Sequence, residues 1–385
     1  MKKHREKTRG AWKKWLFPLV FACIGAVCGL LIARSIDRYL PDGLGPAHFL
    51  LFYALLLLGL FLVLFLQTIL HEAGHLVFGL ATGYRFSSFR VASFMVIRLD
   101  GTLRLKRLSL AGTGGQCLLE PPELVDGKMP FVLYNLGGSM LNLLSALVCL
   151  GLYGLTRSLS WLPLFFLMGA LIGAVFALMN GIPLRLGAVD NDGYNAWSMS
   201  RNPQALGAFW VQMKANALTA QGVRLKDMPA DWFQVPDEAG MKNSMIAVQG
   251  VFACNRLIDS HQFPEARDLI QRVLAMDSAI VGVHRSLLRC DLLTCRLLLG
   301  ASKEELAPMR TREQEKFMKT MKNFPAVLRT EYIWALLAEQ DEARAGQIKA
   351  HFDAVGRTYP YPSDWAGEQE LMELAAGKAR QEELV

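Results

Sequence analysis

The chain has no CxxC pair. Its seven cysteines (Cys23, Cys28, Cys117, Cys149, Cys254, Cys290 and Cys295) stand apart. Several lie in apolar helical runs, where a free thiol behaves as a small hydrophobe. A disulfide framework is therefore not expected, which suits a soluble part in a reducing compartment. The chain also lacks a basic module interleaved with aromatics, so its net charge of +7 does not announce a nucleic-acid partner. Much of the basic excess is instead packed into Lys2, Lys3, Arg5, Lys7, Arg9, Lys13 and Lys14, directly before an apolar run. That is the pattern of a cytoplasmic membrane flank. Histidine is rare, with seven in 385 residues, so any two of them at a meaningful spacing carry weight.

Apolar residues are abundant. They make up 52% of the chain, and the mean hydropathy is +0.25, both high for a soluble enzyme. Four long apolar stretches stand out: about Trp15 to Ile32, Phe49 through Leu70 into His71 and on to Gly79–Gly83, Phe131 to Leu155, and Leu162 to Met179. The first is read as an uncleaved anchor, because Ile32-Ala33-Arg34 makes a poor small-residue cleavage site. Bulky Phe21 argues against lipoprotein processing at Cys23. From Phe49 to His71 a helix rises about 33 Å, close to the hydrocarbon thickness of about 30 Å, which puts His71 near the far face. The basic N-terminus and the cluster Arg85, Arg90, Arg98, Arg104, Lys106 and Arg107 both belong inside by the positive-inside rule. The expected placement is a multi-pass protein of the cell membrane with both termini cytoplasmic.

Between the second and third stretches, Phe89 to Leu99 and Thr102 to Leu108 flank Asp100-Gly101 and predict a β-hairpin. Ala111 to Gly115 and Pro121-Pro122 read as loop. Beyond about Ser200 the composition turns mixed and helical. Phe263-Pro264-Glu265-Ala266-Arg267 and Asp341-Glu342-Ala343-Arg344 open amphipathic helices, and Glu304 to Ala307 is a looser echo. The spacings approach those of tetratricopeptide repeats but are irregular, and an ordinary helical bundle fits as well. The expected architecture is mainly α. It is a polytopic bundle of about four spans (basic N-terminus and first span 1–44, core 45–200), with a small membrane-associated β element and a cytosolic helical domain at 201–385.

The chemistry is concentrated in His71-Glu72-Ala73-Gly74-His75. HExxH on a helix sets two imidazoles one turn apart on one face, able to share a Zn²⁺, and Glu72 between them is placed to take the proton of the water that zinc acidifies. Ionisable groups beside an apolar span are costly and usually mark function. A catalytic zinc site needs a third ligand. His261, His284 and His351 sit in amphipathic helical contexts and are weaker candidates. The segment from Asn180-Gly181-Ile182-Pro183 to Asp190-Asn191-Asp192-Gly193 follows the fourth stretch on the membrane side expected for HEAGH, and a carboxylate there could complete the site.

With these residues in view, the chain resembles the site-2 protease family of intramembrane zinc metalloproteases over roughly residues 45 to 200. The motifs that carry the resemblance are His71 to His75, Gly138-Ser139-Met140-Leu141-Asn142, and Asn180-Gly181-Ile182-Pro183 followed by Asp192-Gly193. The resemblance implies His71, His75 and Asp192 as zinc ligands, Glu72 as general base, and Asn142 near the scissile peptide or, equally, as a helix-packing amide. It also implies a transmembrane protein or peptide substrate in the lipid bilayer, unwound against the β element by strand addition. The stretch from Pro183 to the Asp-Gly pair is longer than the family's usual form, which leaves Asp190 as a rival ligand. The helical tail is expected to bind a protein partner. Two alternatives stand beside this reading: a prenyl-protein type of peptidase, which needs a downstream Glu ligand, and a proteolytically silent scaffold, against which the intact Glu72 argues.

Overall fold

The computed structural model describes residues 22–36, 38, 43, 45–109, 114–159, 161–185 and 190–382. The basic N-terminus and the start of the first apolar stretch, through residue 21, lie outside them, as do residues 111–113 of the expected loop. The described chain is mostly helical with one small sheet. Its compact units are the described parts of Met1–Gly74 with Leu136–Ile182, and His75–Asn135 with Pro183–Val385. The expected boundary near residue 200 falls inside the second.

Four helices carry the apolar stretches: α1 (Ala22–Ile36), α2 (Pro46–Ala81), α3 (Val132–Leu155) and α4 (Leu162–Gly181). Three of them, α2 to α4, are long and apolar enough to cross a membrane, and the described part of α1 is shorter. α2 has 36 residues, about 54 Å of helix, with no charged side chain before Glu72. Its Leu50, Leu55, Leu58, Phe61 and Leu62 are exposed. An apolar surface of that extent is unstable against water and points to membrane association. α4 ends where it must: Ile182 is extended (φ −80°, ψ 133°), the conformation forced on a residue that precedes proline.

In the second unit, β1 (Arg85–Val91), β2 (Phe94–Leu99), β3 (Thr102–Arg107) and β4 (Gly115–Glu120) form an antiparallel sheet in the order β3-β2-β1-β4. The expected Asp100-Gly101 hairpin is present, both residues having positive φ (49° and 74°), as a two-residue turn of primed type requires. The sequence reading differs from the structure in two places. Phe89 to Leu99 is two strands rather than one, because Ala92 takes a φ of 53° and turns the chain. Gly115, read as loop, begins β4. β3 lies at the sheet edge, where the Arg107 N–H donates to the Thr358 carbonyl.

The remaining helices build the tail: α5 (Asp192–Arg201), α6 (Pro203–Ala220), α7 (Ser244–Asp259), α8 (Phe263–Ala275), α9 (Gly282–Leu298), α10 (Lys303–Leu306), α11 (Arg312–Thr320), α12 (Pro325–Ile333), α13 (Glu342–Gly356) and α14 (Pro362–Glu382). From α5 to α9 each helix packs on the next, α12 packs on α13, and α14 returns to α12 and α6. The two helices expected from Phe263 and Asp341 are α8 and α13, and the echo at Glu304 is the single turn of α10.

Candidate metal centre

The HEAGH segment is a continuous part of α2, so the two imidazoles stand one turn apart on the same face. Around His71, in the first unit, a polar network links three apolar helices. His71 Nδ1 lies 2.8 Å from Asn142 Oδ1. The Asn142 amide donates to the Gln67 carbonyl at 2.9 Å and to Gln67 Oε1 at 2.8 Å. Gln67 Nε2 donates to the Gly169 carbonyl on α4 at 3.2 Å, and Ser145 adds a donor to Gln67 Oε1. The two backbone carbonyls fix both amide orientations, since a carbonyl only accepts. Asn142 therefore presents oxygen to His71, and the His71 proton sits on Nδ1. His71 Nε2 is then left with a lone pair.

The same logic holds at His75, in the second unit, with a different partner. His75 Nδ1 donates to the Tyr134 backbone carbonyl at 2.7 Å, and Nε2 faces Asp192 Oδ2 at 3.5 Å. His71, His75 and Asp192 each offer a ligand atom, and these atoms lie within 4.8 Å of one another. Two imidazole lone pairs and a carboxylate converge there, a donor set that suits a divalent cation of the zinc type. Glu72, between the histidines, is buried at 8% exposure.

Glycine permits this arrangement at two points. A Cβ on Gly74 would stand 2.2 Å from the Gly137 carbonyl oxygen, and one on Gly138 would stand 2.6 Å from the His71 ring. α2 and α3 cross in contact at the HEAGH turn, and the first glycine of the Gly138–Asn142 motif is the floor under the imidazole. Asn142 is fully buried, and its amide is committed to His71 and Gln67.

Asp192 is the first residue of α5, behind the N-cap Asn191, where a helix terminus favours a carboxylate. Asn191 Oδ1 accepts from Tyr194 N at 2.8 Å and from Leu184 N at 3.1 Å. Those two bonds hold residues 184 and 191 together; residues 186–189 lie outside the described set. Asp190 pairs with Arg185 in an isolated β-bridge just before the N-cap. It accepts from Arg185 Nε at 3.2 Å and from the Ser244 hydroxyl, and it does not cap α5. Asn180 Nδ2 donates to the Phe176 carbonyl at 3.1 Å, and Pro183 is exposed. His261, His284 and His351 lie in or beside the tail helices, outside this group.

The sequence reading missed Gln67, although an amide in an apolar run one turn before His71 is a usable sign. The Tyr134 carbonyl is a backbone group, and no residue identity reveals it. No family model matches the chain, and neither a curated protein nor a solved structure matches it.

Proposed function

We propose that this chain is an intramembrane zinc metallopeptidase of the site-2 protease type, hydrolysing a peptide bond in or near a transmembrane segment of its substrate. The observation that carries the reading is the convergence of His71 Nε2, His75 Nε2 and Asp192 beside a buried Glu72, with both Nδ1 atoms already committed. His71, His75 and Asp192 would hold Zn²⁺, which supplies Lewis acidity towards a carbonyl oxygen and towards water.

Glu72 accepts the proton of the attacking water and returns it to the departing amine, so no net charge is left in an apolar site. Asn142 acts as a positioning residue. By accepting from His71 Nδ1 it sets that ring's tautomer and direction, as outer-shell partners of ligating histidines do. The Tyr134 carbonyl performs the same task for His75. The surrounding apolar helices limit bulk water, which strengthens each of these interactions. An extended substrate would add to the edge strand β3, a membrane-associated element in this reading. Positive-inside flanks give a multi-pass cell-membrane protein with both termini cytoplasmic, and the helical tail serves as the binding region for a protein partner.

The test uses purified protein in detergent or lipid and a model transmembrane peptide. Glu72→Gln keeps the side-chain shape but cannot take the proton. Cleavage should fall by about 10²–10⁴-fold with zinc content unchanged. Undiminished cleavage by Glu72→Gln would sink the mechanism.

A further inference from the structure

Helices α6, α7, α9, α12 and α14 line a cavity of about 400 Å³ within the second unit. Pockets that take small ligands run from about 300 to 1,000 Å³. The helices line it with residues a turn apart, as Gln212 and Asn216 do on α6, or Val248, Val251 and Asn255 on α7. Each such set is one continuous helix face. The arginines of the wall are committed. Arg224 donates to Asp259 at 2.7 Å and to Glu370 at 2.8 Å. Arg329 donates to Asp291 at 2.6 Å and to Glu368 at 2.7 Å. Asp364, which also lines the cavity, is exposed to solvent.

The uncommitted groups are neutral. Gln116 on β4, Gln212, Asn216 and Asn255 are half-buried on this wall, and none of their amides makes a side-chain hydrogen bond among the described residues. The Tyr359 hydroxyl makes none there either, although that residue is only 7% exposed. His284 Nδ1, on α9, is buried with no hydrogen-bond partner among the described residues. Buried polar atoms are rarely left without a partner. Amides set into a concave wall give up part of their water, a cost that a ligand with matching donors and acceptors removes.

We infer that this cavity binds an extended, uncharged stretch of peptide from a partner protein, held mainly by its main chain. A side-chain amide carries a donor and an acceptor, as a peptide group does. Gln212 and Asn216 stand one turn apart, about 6 Å along the helix. Peptide groups on one side of an extended chain repeat every two residues, about 6.4–6.8 Å. The two spacings match, so successive amides of α6 meet alternate peptide groups. Gln116 and Asn255 continue the set from β4 and α7, both packed on α6. Val248, Val251, Phe252 and Leu287 on the same wall suit apolar side chains of the bound segment. A charged ligand gains less, because Asp259, Asp291 and Glu368 are already paired with the arginines. The inference rests on the tail's proposed role in binding a protein partner and is independent of the metal centre.

The experiment is fluorescence anisotropy on the full-length purified protein at neutral pH. The probes are dye-labelled, end-blocked pentapeptides drawn from Ala, Val, Leu, Ser and Asn. At least one sequence should bind saturably. That peptide is then remade with methyl groups on alternate peptide nitrogens, in each of the two registers, with every side chain kept. One register should lose affinity at least tenfold. The double variant Asn216→Ala with Asn255→Ala should lose at least tenfold for the unmethylated peptide, while its zinc content stays at the parent level; the two serine substitutions replace it should the alanine protein fail to fold. No saturable binder, unchanged affinity after methylation in both registers, unchanged affinity in the folded double variant, or equally tight binding of maltotriose would overturn the assignment. Any of these results beside a normal loss of cleavage in Glu72→Gln would remove the peptide site and leave the peptidase reading standing.

Discussion

Polar groups are buried in two different ways in this molecule. Among the apolar helices, the network of Gln67, Asn142, Ser145 and His71 consists of uncharged donors and acceptors, matched and anchored on backbone carbonyls. Inside the tail the interior is ionic: Arg329 is held between Asp291 and Glu368, and Arg224 between Asp259 and Glu370. The difference follows from cost. In hydrocarbon an unmatched charge is expensive, so orientation there is set by neutral bonds. In the tail, paired charges are tolerable because each is matched by a close opposite charge. The contrast teaches where each region is fragile. The first depends on the geometry of amides, and the second on charge balance.

The largest stability effect should come from upsetting that balance. Arg329→Met leaves Asp291 and Glu368 buried without a cation, and such one-sided removal costs about 3–5 kcal/mol. The tail's unfolding midpoint, followed in the full chain, should fall steeply while zinc content stays at the parent level. A midpoint within a degree or two of the parent would show that the ionic interior carries little of the tail's stability.

Next in size is Asn142→Leu, which removes the acceptor from His71 Nδ1 and lets the ring choose its tautomer. Zinc affinity should drop about 10–100-fold, measured by chelator competition. A smaller effect separates the regions by pH. Asp364 has its folded-state carboxyl raised from 3.8 to about 7, so the folded state takes up a proton more readily than the unfolded one. The stability linked to that proton is complete below the unfolded pKa and lost as the pH rises through about 7. Asp364→Asn stays neutral throughout, so it should raise the unfolding midpoint at about pH 8 and much less at about pH 5. An equal shift at both would refute the ionisation argument.

The smallest effect lies within the candidate metal centre. Tyr134 holds His75 by its backbone carbonyl, and its hydroxyl donates to the Cys117 carbonyl at 2.8 Å. Tyr134→Phe should leave zinc affinity unchanged and cost about 1 kcal/mol of stability. If Tyr134→Phe loosened zinc and Asn142→Leu did not, the two modes of support would have been assigned the wrong way round.

These regions were not equally legible in the sequence. The apolar helices could be placed to within a few residues because their composition is extreme, and HEAGH is a local spacing on one helix. The Asp100-Gly101 turn was legible for the same reason, since only a few residues accept its backbone angles. The split of β1 from β2 was hidden, because Ala92 is an ordinary residue in a left-handed conformation imposed by the fold. Asn142 stood out by residue type, but its partner Gln67, 75 positions away, did not. Asp192 stood ahead of Asp190 only through its Asp-Gly pair and the resemblance. What distinguishes them is the pinch made by Asn191 and the pairing of Asp190 with Arg185 and Ser244, and both are tertiary. The ion pairs of the tail join side chains as far apart as Arg224 and Glu370, a separation over which no periodicity speaks.

The proposed activity requires His71, His75 and Asp192 to share one metal ion. The most direct test is zinc per chain, by elemental analysis, on the purified parent, Asp192→Asn and Asp190→Asn after zinc-replete preparation. The expected values are about one, near zero and about one, since a neutral amide lacks the anionic oxygen that zinc prefers. A parent without zinc, or an Asp192→Asn protein that keeps its zinc while Asp190→Asn loses it, would contradict the assignment.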